Sequence, residues 1–193
     1  MIPRVSTSGR WHKLKPRFAR EDWIDLGLAM LAKHGPEGLT LERMTEAAAK
    51  TRGSFYHHFE HHEAFLAALA ERWLAQETDA VIALTEAAAR AGKRRETLAR
   101  RAAKVDHALE RQLRRLAASA PVIAEAVAHA DQRRIEYVAR LFRSELGLGQ
   151  TEALARARIE HCAFVGAQMV FADADERFLL TLAATLGRTL WRK

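Results

Sequence analysis

The sequence predicts an all-α protein of about nine helices, and three observations carry that reading. Alanine occurs 38 times and leucine 23 times in 193 residues, whereas valine and isoleucine together occur 14 times. Strong helix formers thus dominate over the β-branched residues that strands favour. Four prolines and ten glycines leave little material for a turn-rich β architecture. Apolar residues recur at spacings of three and four along most of the chain, the period of an amphipathic helix.

Residues 1–17 contain Pro3, Gly9 and Pro16, show no periodicity and read as a flexible basic arm. The first helix begins near Phe18, places Trp23, Ile24, Leu28 and Leu31 on one face, and stops at His34-Gly35-Pro36. Thr40 is a good N-cap for a short second helix carrying Leu41 and Met44, and Thr51 can cap a third that runs through Phe59. A long helix follows from His62 to about residue 85, with Gly92 as the next boundary. Residues 94–118 carry Leu98, Ala102, Val105, Leu109, Leu113 and Leu116 as one regular stripe, and read as a single helix. Pro121 opens a short helix, Asp131–Leu146 makes another, and two more cover roughly 151–171 and 175–191, the last with Asp173-x-x-Glu176 as a capping signal. The layout is a small N-terminal unit over 18–62 and a larger helical domain over 63–193.

Charge and cysteine content narrow the function. The formal net charge is +7 with a pI near 10.1, which points to nucleic acid or another anionic partner. The excess is uneven: residues 1–20 sum to +6 and residues 90–115 to +7, so the remainder sums to −6. A single cysteine, Cys162, excludes an intrachain disulfide and a cysteine-based zinc site. No apolar run reaches the ~18 residues of a membrane span, and the basic N-terminus lacks the apolar middle of a secretory signal. A cytoplasmic protein, with no membrane partner and no cofactor, is the expectation.

Residues 39–59 read LTLERMTEAAAKTRGSFYHHF: helix, tight break, second short helix. The second helix presents Arg52, Ser54, Tyr56, His57 and His58, while Phe55 and Phe59 anchor it inward. Such a helix fits the major groove with its first turn at base edges. Arg52 can reach guanine O6 and N7 together and Ser54 can donate or accept, whereas Thr51, Tyr56 and His58 suit phosphate oxygens. Gly53 lacks a Cβ and allows close approach to the sugar–phosphate backbone, and the helix after Thr40 can aim its free N–H groups at a further phosphate.

Over residues 18–75 these features resemble the DNA-binding domain of the TetR (tetracycline-repressor) family: a first helix ending in Gly35, Thr40 opening the second, then Gly53-Ser54-Phe55-Tyr56-His57-His58-Phe59. Over 76–193 only the helical layout agrees with the family's ligand-binding and dimerisation domain. The resemblance implies a homodimeric, ligand-responsive transcriptional regulator, most often a repressor and not an enzyme, that binds an inverted-repeat operator in double-stranded DNA. Thr40, Lys50, Thr51, Arg52, Gly53, Ser54, Tyr56, His57, His58 and His62 are the implied DNA contacts. Two departures stand out. The family's turn before the recognition helix usually reads Ala-Gly-Val-Ser, but here it is Ala48-Ala49-Lys50-Thr51, which places a residue with a Cβ where positive φ is expected and a cation where an apolar residue is half-buried. The lysine that opens the family's fourth helix is His62 here.

Competing readings stand beside these. His57, His58, His61 and His62 have ligand-like spacing on a continuous helix, but a break near Phe59–His62 spoils it, and no metal is expected. The arm is either a solvated tail or a minor-groove contact. The basic face of 94–115 reads as a solvated face, and Cys162 as a buried inert thiol. His107, Tyr137, Phe142, His161 and Phe164 are candidates to line a largely apolar effector pocket. Phe164, Phe171, Phe178, Leu182, Leu186 and Leu190 are candidates for a dimer interface built from the last two helices, unless one chain buries them alone. An architectural or nucleoid-associated DNA binder without an effector is the alternative function.

Overall fold

The computed structural model describes residues 18–91 and 93–192, so the basic arm lies outside the described residues. They form nine helices and no strand. α1 (Arg20–His34) is followed by a 3₁₀ turn (Pro36–Leu39), α2 (Leu41–Ala48) and the five-residue α3 (Arg52–Tyr56). α4 runs over 62–87 as an α-helix (His62–Leu74), one π turn (Ala75–Asp79) and a second α segment (Ala80–Ala87). α5 (Arg94–Ala102), α6 (His107–Leu116), α7 (Pro121–Leu146), α8 (Gln150–Val170) and α9 (Glu176–Leu190) complete the chain. Among the described residues no helix is long and apolar enough to cross a membrane.

The helix ends follow the local chemistry. The Asp22 carboxylate accepts from the Ala19 N–H at 2.7 Å, and Gly35, with φ at 71°, closes α1 by donating to the Leu31 carbonyl at 2.9 Å. Thr40 and Thr51 cap α2 and α3 as expected, accepting from Arg43 N–H at 3.4 Å and Ser54 N–H at 3.2 Å. α9 is capped by Asp175, which accepts from Phe178 N–H at 2.8 Å, and not by Asp173.

Two boundaries differ from the sequence reading, in opposite directions. Residues 94–118 are two helices, because Asp106 turns its carboxylate onto the Leu109 N–H at 2.8 Å and starts α6 afresh. The Leu/Val stripe continues through the break, which is why periodicity missed it. Residues 121–146 are one helix, because Asp131 does not cap: its carboxylate is held by Arg114 at 2.6 and 2.9 Å and faces His161 at 2.9 Å.

One apolar core joins the N-terminal unit to the rest. Trp23, Leu31, Met44, Phe55 and Phe65 are at most 1% exposed and pack continuously with Trp73 of α4, Leu113 of α6 and Ile123 of α7. Hydrophobic burial therefore does not stop at residue 62. A second, smaller core gathers Phe142, Ala153, Ala157 and Leu190 at the far end, with Trp191 stacked on Phe142 at 4.2 Å. Phe142 thus fills a core rather than a pocket wall, and Leu190, 8% exposed, is core rather than free surface.

The basic face of α5 and α6 is largely paired. Arg100 pairs with Glu96, Lys104 with Glu176 and Arg115 with Glu37, while Arg114 is nearly buried between Glu110 and Asp131. Cys162, expected to be buried, is exposed on α8.

Candidate nucleic-acid interface and inner cavity

α3 is too short to be stable alone, so its position depends on tertiary packing. Phe55, 1% exposed, supplies that packing: its ring meets Trp23 at 5.3 Å, Phe59 at 5.2 Å and Phe65 at 5.3 Å. With Phe55 pinned inward, Arg52, Gly53, Tyr56 and His57 face outward and Ser54 is half-buried. Thr40, Lys50 and Thr51 are exposed beside them. The turn that sets this angle holds Ala49 at φ 50°, ψ 45°, so the left-handed geometry is kept without glycine. Lys50 does snorkel, its ammonium lying 5.8 Å from the centre of the Phe18 ring. Gly53 has no internal reason to be glycine: a Cβ there would meet only Thr51 Oγ1, at 3.7 Å.

The four histidines each have a separate local role. His58 turns back to the Phe18 carbonyl at 3.2 Å, and His62 faces the Leu39 carbonyl at 2.9 Å. Both rings thereby tie the α3–α4 region to earlier elements instead of standing free for phosphate. His61 caps α4, its Nδ1 accepting from Ala64 N–H at 3.0 Å, a role the sequence reading missed. His57 remains exposed. Among the described residues no group of three or more His, Cys, Asp or Glu side chains converges as a metal site would require.

Deeper in the chain, α4 to α9 line a partly open cavity of about 180 Å³. Of the residues considered for an effector pocket, His107, Tyr137, His161 and Phe164 line this cavity and Phe142 does not. Sequence reasoning missed Glu77, Thr78, Arg134, Glu160 and Gln168, which share the lining. Arg134 explains the π turn beside it. Its Nε donates to Thr78 Oγ1 at 3.0 Å and its Nη2 to the Glu77 carbonyl at 3.2 Å, so α7 satisfies backbone and side-chain groups that the irregular turn exposes. The same guanidinium donates to Glu110 at 2.8 Å and lies over Trp73 and Phe164. Burial opposes ionisation of Asp131, but hydrogen bonds from Arg114 and His161 win and hold its carboxyl well below the usual carboxylate range. Burial pushes Glu77 up, aided by Asp106 and Glu110, and burial also raises Glu160 against the pull of Trp191 and Arg95.

The expected dimer residues divide. Phe171, Phe178 and Leu182 are 45%, 43% and 36% exposed, in company with Ile159, Met169 and Val170. Phe164 and Leu186 are half-buried against the cavity instead.

A capped helix, a tight left-handed turn and a short helix wedged by one aromatic with its polar face outward make a helix-turn-helix DNA-binding domain. Comparison with known proteins agrees. Residues 24–69 match the bacterial regulatory proteins of the tetR family. The HTH-type transcriptional repressors AcnR of Corynebacterium glutamicum and Corynebacterium efficiens are each 36% identical over 67 residues, 35% of this chain and 36% of theirs. The chain thus matches about a third of the length of these curated relatives. A transcriptional regulator from Rhodococcus sp. Rha1 superposes with a TM-score of 0.74 at 17% identity, covering 90% of this chain and 96% of that one. The fatty acid degradation regulator FadR from Bacillus halodurans gives 0.65 at 18% identity, covering 92% and 96%. These last two share the fold over nearly their whole length. Over residues 24–69 the chain is thus similar to the DNA-binding domain of the tetR family of bacterial regulatory proteins.

Proposed function

We infer that the chain is a ligand-responsive transcriptional repressor that binds an inverted-repeat operator as a homodimer. The observation that carries this is the outward face of α3: Thr51, Arg52, Gly53, Tyr56 and His57 exposed on a helix fixed from behind by Phe55. In this reading Arg52 and Ser54 read base edges, and Thr40, Lys50, Thr51, Tyr56 and His57 set register on phosphates. His58 and His62 act through position, since each has one ring nitrogen on a backbone carbonyl. Gly53 supports the assignment, because glycine is a poor helix former and nothing inside the protein requires it.

A helix-turn-helix of this size holds one half-site weakly, so two copies supply affinity and fix half-site spacing. The apolar strip of Phe171, Phe178 and Leu182 on the last two helices is the face we assign to the partner copy. The cavity favours a ligand-responsive regulator over a purely architectural DNA binder. Two elements connect it to the reading head. α4 borders the cavity at Glu77 and Thr78 and begins beside α3. α6 borders it at His107 and ends where Arg115 pairs with Glu37 of the head at 2.6 Å. An effector that prefers one arrangement of these helices shifts the distance between the two recognition helices.

Selection of fragments bound from a genomic DNA pool tests the reading. A shared inverted repeat, lost when an effector is added, is the expected result; enrichment without a common sequence would support the architectural alternative instead.

A further inference from the structure

The cavity's walls and its unmet polar atoms specify different parts of a ligand. Phe164, Tyr137, Leu98 and Leu186 supply apolar and aromatic surface around about 180 Å³, a space on the scale that one substituted ring fills. Several of the charged groups around it are already matched, while Arg95, exposed at the rim, lies over the Trp191 ring. Arg134 is taken up by Glu110, Thr78 and the Glu77 carbonyl, and His161 faces Asp131, which Arg114 clamps. Glu160 accepts from Trp191 Nε1 at 2.9 Å, and Tyr137 donates to Glu86 at 2.8 Å.

Two neutral side chains of the lining are left unmet. Gln168 is 3% exposed, and neither its amide nitrogen nor its amide oxygen has a hydrogen-bond partner among the described residues. His107 Nε2 lies 3.3 Å from the Ala103 carbonyl, which makes Nε2 the protonated nitrogen and leaves Nδ1 a buried acceptor without a donor. The two belong to one corner of the lining. Gln168 stands one helical turn after Phe164, whose ring lies 6.1 Å from that of His107. Arg111, one turn after His107, donates to the Gln168 carbonyl at 3.4 Å. Buried polar groups are rarely left unpaired, and both residues belong to the lining, where a ligand's polar head satisfies such groups.

We propose that Gln168 and His107 form the polar end of this cavity and recognise an uncharged, single-ring ligand bearing a primary carboxamide. One ligand N–H meets His107 Nδ1, the other meets the Gln168 oxygen, and the ligand carbonyl accepts from the Gln168 amide, so every group is satisfied once. This rests on the cavity being the effector site. A ligand carboxylate in this corner would add to Glu77 and Glu160, both already raised by burial, and the cation it would seek instead is Arg95 at the rim, which the benzoate arm reads. A ligand ammonium would seek those same carboxylates and is the chemistry the test must separate.

Benzamide, benzoate, benzylammonium and toluene share one shape and differ in that head group. Each is titrated into the full chain and into Gln168→Leu by calorimetry. Leucine removes two unmet polar atoms at little change in volume, so the variant should melt at or above the wild-type temperature. Benzamide should bind at least about tenfold tighter than the other three and lose about that factor in the variant, with toluene unchanged. Tightest binding by benzylammonium or benzoate overturns the proposal, as does equal binding of benzamide and toluene, no binding at all, or a variant that melts well below wild type. Operator binding measured on the same samples separates the two readings. Benzamide held through Gln168 without any effect on DNA affinity keeps the polar site and removes the effector role; release of DNA by one of the other probes alone keeps the effector role and overturns the head group.

Discussion

Replacing Ala49 by glycine should stabilise the protein, because Ala49 holds the helix-turn-helix turn in a conformation that alanine disfavours. Its φ of 50° and ψ of 45° place it in the left-handed region, which costs an L-residue with a Cβ about 1–2 kcal/mol. Glycine removes that cost but gives the unfolded chain more freedom, worth about 0.4–1 kcal/mol in the other direction. Little else changes. The side chain is exposed, and the N–H that donates to the Glu46 carbonyl at 3.0 Å is kept by glycine. The net gain is about 0.5–1 kcal/mol, or ~1–4 °C in Tm for a chain of this size. Urea unfolding followed by far-UV circular dichroism, at one fixed protein concentration so that self-association does not shift the midpoint, measures it. Ala49→Val provides the opposite sign, since a β-branched residue tolerates positive φ still less. A glycine variant less stable than wild type by more than about 0.5 kcal/mol would refute the strain argument.

Three further outcomes follow from contacts elsewhere. Gly27→Ala puts a Cβ 2.5 Å from Phe65 Cζ inside the aromatic cluster, so overpacking of about 1–3 kcal/mol should outweigh the ~1 kcal/mol of helix propensity gained; an unchanged melting temperature would contradict it. Asp131→Asn should cost about 2 kcal/mol at neutral pH, since it removes the charge that Arg114 and His161 face. The folded-state pKa of Asp131 is depressed, so its contribution is present above the ordinary carboxylate range and is lost as pH falls through the depressed value. The gap between wild type and variant should therefore close only in strong acid, and a gap independent of pH would rule out this cause. Phe178→Glu, on the exposed strip of α9, should yield a monomer by light scattering with the melting temperature nearly kept; an unaltered dimer mass would move the interface elsewhere.

Local chemistry made the head of the molecule legible in sequence, and long-range pairing hid much of the rest. Thr40, Thr51 and Gly35 act on backbone groups within four residues of themselves, so their roles could be read from order alone. Phe55 and Phe59 pointed inward for the reason that periodicity gives. His58 and His62 escaped that logic, because their partners Phe18 and Leu39 lie 40 and 23 residues away. Asp106 and Asp131 look alike in sequence. One caps α6 and the other is captured by Arg114, and only the folded positions of α6 and α7 decide which. Phe142 was misplaced for the same reason: its partner Trp191 comes from the end of the chain. Gln168 carried a visible signal, a lone amide on an apolar helix flanked by Ala167 and Met169, but its isolation inside a cavity required the structure.

Base discrimination by Arg52 tests the central claim most directly. With the operator from fragment selection in hand, binding of wild type and Arg52→Ala is compared on that site and on variants with each guanine replaced. The wild type should lose about 1–3 kcal/mol at the guanine that Arg52 reads. The alanine variant, folded and dimeric, should bind all those sites alike. An Arg52→Ala protein that keeps the wild-type sequence preference would contradict the assignment of α3 as the reading helix.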